Sequence, residues 1–280
     1  MNGRIILLIF VLIAKSPLAQ TTKEDFDFVM YLIGNGMKED AEVLLQNTKA
    51  NNDSIYFLKG YTDYSNKKLD SAVKNFSLVS KSSDLFTESN FFASLSAAHL
   101  GDLGKAVSLI DKIDCETDEI VSLKNFELAG ISLLKRDYDD FDRYIIKVDT
   151  NNNLLSVEAN NLLAIKNDLI SYKKKSPLLA AVLSAVVPGL GKVYAGNTGE
   201  GIAAFCLCAP LMAATAENWY KNGITNWKTI AFGVLSAVFY VGNILGTIAT
   251  VKFNVSQFNN RNDVQILYNI HIPLRNTFRR

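Results

Sequence analysis

GDLGKAVSLI, residues 101–110, sets a glycine five positions before an alanine, a leucine three before it and an isoleucine four after it. The pattern recurs at Gly36 and Ala41, at Lys67 and Ala72, and at Arg136 and Phe141, which spaces the anchors Ala41, Ala72, Ala106 and Phe141 by 31, 34 and 35 residues. Leu69, Leu103 and Tyr138 stand three before their anchors, and Leu45, Phe76, Ile110 and Ile145 stand four after. Each block therefore reads as a turn followed by a helix with one apolar stripe. A small anchor lets the two helices of a pair approach, and the large residue one turn later fills the groove to the next pair. Columns that repeat together near 34 residues predict stacked helix pairs over residues 20–172 rather than one compact core. The expected fold class is all-α, a helical-repeat solenoid followed by a small transmembrane helical domain.

These blocks resemble tetratricopeptide repeats over about half of the chain. The Trp and the closing Pro of that pattern are absent, Phe141 stands where Ala is usual, and Gly60 lies twelve before Ala72, where the family favours a small residue. Residues 153–172, NLLSVEANNLLAIKNDLISY, carry apolar residues at helical spacing and predict a capping helix. An irregular helical bundle is the alternative. The resemblance implies a concave face that binds peptides or partner proteins. Tyr56, Phe57, Tyr61, Tyr64, Phe91 and Phe92 supply aromatic surface on the first helices of the middle pairs. Most of these are expected in the core. Tyr56, Tyr61, Tyr64 and Phe91 are the candidate partner-binding residues, because aromatic side chains are enriched at binding hot spots.

The bulk composition excludes several classes of function. With 29 basic and 28 acidic residues the net charge is +1, so no whole-chain field recruits nucleic acid. Cys115, Cys206 and Cys208, with His99 and His271, form neither a disulfide framework nor a zinc set. There is no GxSxG, no cysteine with a neighbouring histidine and no carboxylate pair at functional spacing, so no enzyme, cofactor or metal is expected. Asp139, Asp140 and Asp142 read as an acidic start to a solvated helix.

At the amino terminus, Arg4 precedes the apolar run IILLIFVLIA at residues 5–14, and Lys15-Ser16-Pro17-Leu18-Ala19-Gln20 follows. A basic start, a short apolar core and a small-residue exit form a secretory signal over residues 1–19, cut after Ala19 or retained as an anchor.

Composition shifts at Lys173-Lys174-Lys175-Ser176-Pro177 to three apolar stretches, residues 178–190, 201–216 and 229–251, within an expected membrane domain at 173–254. The first, broken by Pro188-Gly189, reads as a half-helix, and the others as an antiparallel transmembrane pair around the polar loop Glu217 to Lys228. Trp219, Tyr220 and Trp227 flank that loop as headgroup-level anchors. At the break stand Pro188, Gly189, Gly191, Tyr194 and Gly196. Tyr194 occupies the place of the last glycine of GxGxxG and no Gly-Lys-Ser/Thr follows, which removes a nucleotide-binding reading. Glycines that turn the backbone and let helices touch are the structural reading, with Tyr194 and Asn197 to satisfy the exposed backbone. Neither 201–216 nor 229–251 contains Asp, Glu, Lys, Arg or His, which disfavours an ion-coupled transporter. Ser236, Ala237, Gly242, Gly246 and Ala249 give a face for close helix packing.

The run from Ser176 to Gly196, together with Tyr240, Gly242 and Asn243 in FYVGNI and the closing Phe253-Asn254, resembles the bacterial branch of the two-transmembrane domain family over about eighty residues. Lys192 replaces a commonly neutral polar residue. That resemblance implies a membrane location and no particular activity. An exported signal places the repeats on the periplasmic side of the inner membrane, against the positive-inside tendency of Lys173–Lys175, and the signal governs a translocated domain. With two crossings the tail returns to the repeat side; with three, the tail carrying Arg261, Arg275, Arg279 and Arg280 is cytoplasmic. In the tail, residues 255–280, Val264, Ile266, Tyr268, Ile270 and Ile272 alternate with more polar neighbours and suggest a strand, and a disordered tail fits equally well. The function expected is a non-enzymatic membrane-anchored scaffold at the bacterial envelope. Its partners are the lipid bilayer and one or more proteins of unknown identity; no nucleic acid is expected, and an oligomer is compatible. The alternative is a membrane-biogenesis or channel-like protein whose glycine-rich membrane domain is the active part.

Overall fold

A computed structural model of the chain describes residues 23–48, 51–114, 117–149 and 153–278, without the side chains of 153 and 154. The signal segment, Cys115, Arg279 and Arg280 lie outside these residues. The described chain is all-helical: α1 (Lys23–Gly34), α2 (Lys38–Gln46), α3 (Asp53–Ser65), α4 (Leu69–Phe76), α5 (Phe86–His99), α6 (Leu103–Asp111), α7 (Asp118–Lys135), α8 (Tyr138–Ile145), α9 (Asn153–Ser171), α10 (Pro177–Val186), α11 (Leu190–Ala195), α12 (Thr198–Asn222) and α13 (Trp227–Thr277). It divides into two compact units. One holds the described residues up to Lys166 together with those from Gln265 onward; the other is Asn167–Val264.

In the first unit each helix from α1 to α7 packs on the next, and the first helices of successive pairs also meet, α1 on α3 and α3 on α5. The four turns that open the aligned blocks share one backbone geometry. Gly36, Lys67, Gly101 and Arg136 all have left-handed φ, at 81°, 60°, 80° and 61°. Each donates its amide to the carbonyl three residues back, and the next residue donates to the carbonyl five back, as in Lys67 to Tyr64 at 3.0 Å and Lys68 to Asp63 at 2.8 Å. This double bond closes the preceding helix and satisfies its last carbonyls. Side-chain caps start several of the helices: Asn52 accepts from the Ile55 amide, Asp102 from that of Lys105, Thr117 from that of Ile120 and Asp137 from that of Asp140.

The anchors Ala41, Ala72, Ala106 and Phe141 are all 0% exposed, and Leu45, Phe76 and Ile110 one turn later are buried. Ile145, their counterpart in the fourth block, is only half-buried. Phe26, Phe57, Phe76 and Phe92 form a chain of ring contacts with centroids 5.8–6.0 Å apart, which ties α1, α3, α4 and α5 together.

Left-handed φ costs an L-residue with a Cβ about 1–2 kcal/mol, of which glycine's larger unfolded-state entropy offsets part. Exposed Lys67→Gly is therefore expected to stabilise the first unit by roughly 0.5–1 kcal/mol. Lys67→Ala retains the strain and is expected to leave the unit unchanged. Thermal melts of the three chains in one detergent check this.

The tail departs from the expected strand. Residues 265–277 complete α13, and Ile266, Ile270 and Leu274, spaced by four, are all 0% exposed. Val264 and Tyr268, which made the alternation, are exposed. A lone strand would leave its backbone groups unpaired, whereas the helix satisfies them within itself.

In the second unit, Pro177 takes the first position of α10, with Ser176 accepting from the Leu179 amide at 3.3 Å. The helix ends at Val186, the chain turns through Pro188-Gly189, and α11 packs on both α10 and α12. The connection between α12 and α13 is shorter than the sequence indicates: Glu217 to Asn222 continue α12, held by a Lys221–Glu217 pair at 2.6 Å, and only residues 223–226 form the loop. Both α12 and α13 are long and apolar enough to cross a membrane.

Candidate functional site

Two places in the fold concentrate unusual chemistry, one in each unit. In the second unit the turn after Pro188 is built on glycines that touch backbone. Gly189 has φ of 85°, and a Cβ there would lie 2.0 Å from the Gly201 carbonyl oxygen. A Cβ on Gly191 would lie 1.9 Å from the Ala180 carbonyl oxygen, 2.6 Å from Ser184 Oγ and 2.7 Å from Thr247 Cγ2. Glycine is the residue that permits this crossing of α10, α11 and α12.

A directed hydrogen-bond chain runs through the contact. Thr247 donates to the Asn243 carbonyl at 2.8 Å, so the 2.9 Å contact between Ser184 and Thr247 has Ser184 as donor. Ser184 in turn accepts from the Gly191 amide at 3.2 Å. Tyr240 donates to the Ala185 carbonyl at 2.5 Å, and Asn254 donates to the Ala195 carbonyl and to Asn197 Oδ1 at 3.2 and 3.1 Å. The two sequence motifs, some fifty residues apart, thus meet side by side. Tyr194 accepts from the Ser176 amide through its hydroxyl and from Lys175 through its carbonyl. Gly196 turns the chain into α12 with φ of 99°. Gly242 has open space around it and takes no part in the packing. Asn243 is 7% exposed and neither of its side-chain polar atoms has a partner.

Ser184 and Thr247 link the two motifs. The available signal for Thr247 was a hydroxyl residue one turn after Asn243 in an otherwise apolar run. Burial in this unit is inverted relative to the first. Small and polar residues such as Gly191, Ser184, Asn243, Thr247 and Ser236 are inside beside a small cluster of Ala180, Ala195 and Val251, while Leu178, Val186, Ile202, Phe205, Val238 and Leu245 are exposed. Trp219, Tyr220 and Trp227 are exposed at the ends of α12 and α13, Tyr220 by 93%.

In the first unit the α13 end lies across the first helices. Ile270 meets Gly130 of α7, where a Cβ would be 2.3 Å from Ile270 Cγ2. Asn269 accepts from Asn161 of α9 at 2.9 Å, His271 packs on Tyr64 of α3 at 5.9 Å, and Phe278 packs on Phe91 of α5 at 5.8 Å. Phe91, one of the four candidate partner-binding residues, is thus buried. Tyr56 is half-buried. Tyr61 and Tyr64 line a cavity of about 760 Å³ together with Phe92, His99, His271 and Arg275. Burial raises the tyrosine pKa values, helped at Tyr61 by Glu88. Burial lowers His99, and burial, Arg275 and His99 together lower His271. Glu127 of α7 is 0% exposed with neither carboxyl oxygen bonded, and burial pushes its pKa well above the usual carboxylate range.

Of the cysteines described, Cys208 is buried and Cys206 exposed. Among the described residues no group of three or more His, Cys, Asp or Glu is placed to hold a metal ion. Comparison of the chain with family models, curated proteins and solved structures yields no match.

Proposed function

We propose that the chain is a non-enzymatic scaffold of the bacterial envelope, anchored in the inner membrane by its second unit and binding protein partners through stacked, tetratricopeptide-like helix pairs of its first. The observation that carries this reading is the inverted burial of the second unit. In water, exposed Leu, Val, Ile and Phe around an interior rich in Ser, Thr, Asn, Gly and Ala would be unfavourable; in hydrocarbon that distribution is favourable. Exposed Trp219, Tyr220 and Trp227 fit headgroup depth. The solenoid half is supported by four turns of one geometry at the period of the sequence repeat. A channel-like role for the second unit is the second reading, favoured by the unpaired Asn243 amide.

Alkaline carbonate washing of membranes tests the anchor: the chain is expected to stay with the lipid, and its release into the wash would overturn the membrane reading. Affinity capture from detergent extract tests the scaffold. A co-purifying protein lost on Tyr61→Ala with Tyr64→Ala is expected, and capture unaffected by those changes would overturn a binding role for this face. Reporters fused after Ser171 and after Arg280 determine which side each end occupies.

A further inference from the structure

We propose that the groove across the first helices of the helix pairs is a receptor for an amphipathic helix, and that residues 265–277 of the chain are its resident, displaceable occupant. The incoming partner is a helix with large aliphatic residues at i, i+4 and i+8 and a small amide residue between the first two turns. The resident segment supplies that template in Ile266, Ile270, Leu274 and Asn269. This inference rests on the scaffold reading of the first unit and names the partner's chemistry.

The segment is held in the manner of a bound ligand. It touches α3 through Tyr64, α5 through Phe91, α7 through Gly130 and α9 through Asn161, and so spans several first helices. Its aliphatic stripe enters where Gly130 has no side chain, and glycine in a helix interior is otherwise unfavourable. A surface that receives an apolar helical stripe at positions spaced by four recognises other helices of that pattern.

The fit is incomplete on the side of His271, Arg275 and Phe278. There a partly open cleft of about 760 Å³ is lined by these residues of the tail and by Tyr61, Phe92 and His99. His99, His271 and Arg275 stand near one another, and protonation of either imidazole adds like charge. On α7, Glu127 is buried without a hydrogen bond, close enough to act on Tyr64. The other charged residues bordering the cavity are Lys38 and Lys67. A permanent core element would be expected to pair such groups. A segment held by three aliphatic side chains, one amide hydrogen bond and two ring contacts, beside an open polar edge, can exchange.

The test uses the full chain in detergent micelles and a fluorescent synthetic peptide of residues 262–278, read by anisotropy. Wild type, with its groove occupied, is expected to bind the peptide weakly. Ile270→Asp and, separately, Leu274→Asp are expected to release the resident segment and tighten peptide binding at least tenfold. Adding Gly130→Leu to either is expected to abolish that binding. If both aspartate variants keep wild-type helix content by circular dichroism and bind no tighter than wild type, the inference is overturned. Should neither fold, hydrogen exchange on wild type decides: excess peptide is expected to accelerate exchange of amides 265–277, and unchanged exchange overturns the proposal. Peptide exchange without any captured protein would sink the scaffold reading alone. Capture sensitive to Tyr61 and Tyr64 without peptide exchange would sink this inference alone.

Discussion

A chain carrying Gly191→Ala is expected to lose the second unit's fold, because the smallest possible side chain already collides there with backbone. Its Cβ would stand 1.9 Å from the Ala180 carbonyl oxygen, and Ser184 Oγ and Thr247 Cγ2 close the other sides at 2.6 and 2.7 Å. No rotamer change relieves a collision with a carbonyl in α10, so α10 and α11 must separate. Separation breaks the bond from the Gly191 amide to Ser184 and disturbs the Ser184–Thr247 contact beside it. Each polar group left unpaired in apolar surroundings costs about 1–3 kcal/mol. With the steric term, the loss exceeds about 4 kcal/mol, a large part of a typical stability of about 5–15 kcal/mol. Gly242→Ala, where nothing lies within contact distance, is the control and is expected to behave as wild type. Size-exclusion profiles and thermal melts in detergent measure both. A Gly191→Ala chain that elutes and melts with wild type would remove the crossing as the organising contact of this unit.

The sequence carried the first unit's local structure through register rather than residue type. Lys67 and Arg136 are poor candidates for left-handed φ taken singly, and only their alignment with Gly36 and Gly101 places them there. The buried anchors were legible for the same reason, since a small residue at a fixed distance from a turn has one packing role. The tail was not legible, because Val264 and Tyr268 are apolar yet exposed and disguise a spacing of four as a spacing of two. Its placement on Gly130 was out of reach for periodicity, which sees neighbours along the chain and not a partner 140 residues away. In the second unit, Pro188 to Gly196 and Tyr240 to Asn243 stood out as separate motifs. Their union through Ser184 and Thr247 did not, since hydroxyl residues within apolar runs change the hydropathy little and report nothing about what they bond. The candidate aromatic residues lie on the first helices of the pairs, but aromatic type alone could not separate Phe91, covered by Phe278, from Tyr61 and Tyr64 at the cavity.

Glu127→Leu is expected to stabilise the first unit by about 1–3 kcal/mol at neutral pH, the cost of a buried polar group left without a hydrogen bond. Glu127 is fully buried in the middle of α7, and neither carboxyl oxygen has a hydrogen-bond partner. Burial therefore holds it in the neutral form, with its pKa well above the ordinary value of 4.5. The unfolded chain ionises this carboxyl above about pH 4.5 while the folded chain keeps the proton. Wild type thus loses stability from this group as pH rises from about 4.5 toward the folded value. His99 and His271 act in the opposite sense. Their folded pKa values lie below the ordinary 6.5, so their contribution is complete above that pH and is lost as pH falls through it toward the folded values. A single pH profile of wild type mixes these slopes. The difference between Glu127→Leu and wild type cancels the histidine contributions, provided that the leucine does not alter their surroundings. That difference is expected to be small near pH 4.5 and to widen steadily toward pH 7. Denaturant titrations of both chains across this range measure it. A difference that is flat with pH would show that Glu127 is ionised in the folded chain and holds a partner there, and with it the account of an open polar edge beneath the tail would fall.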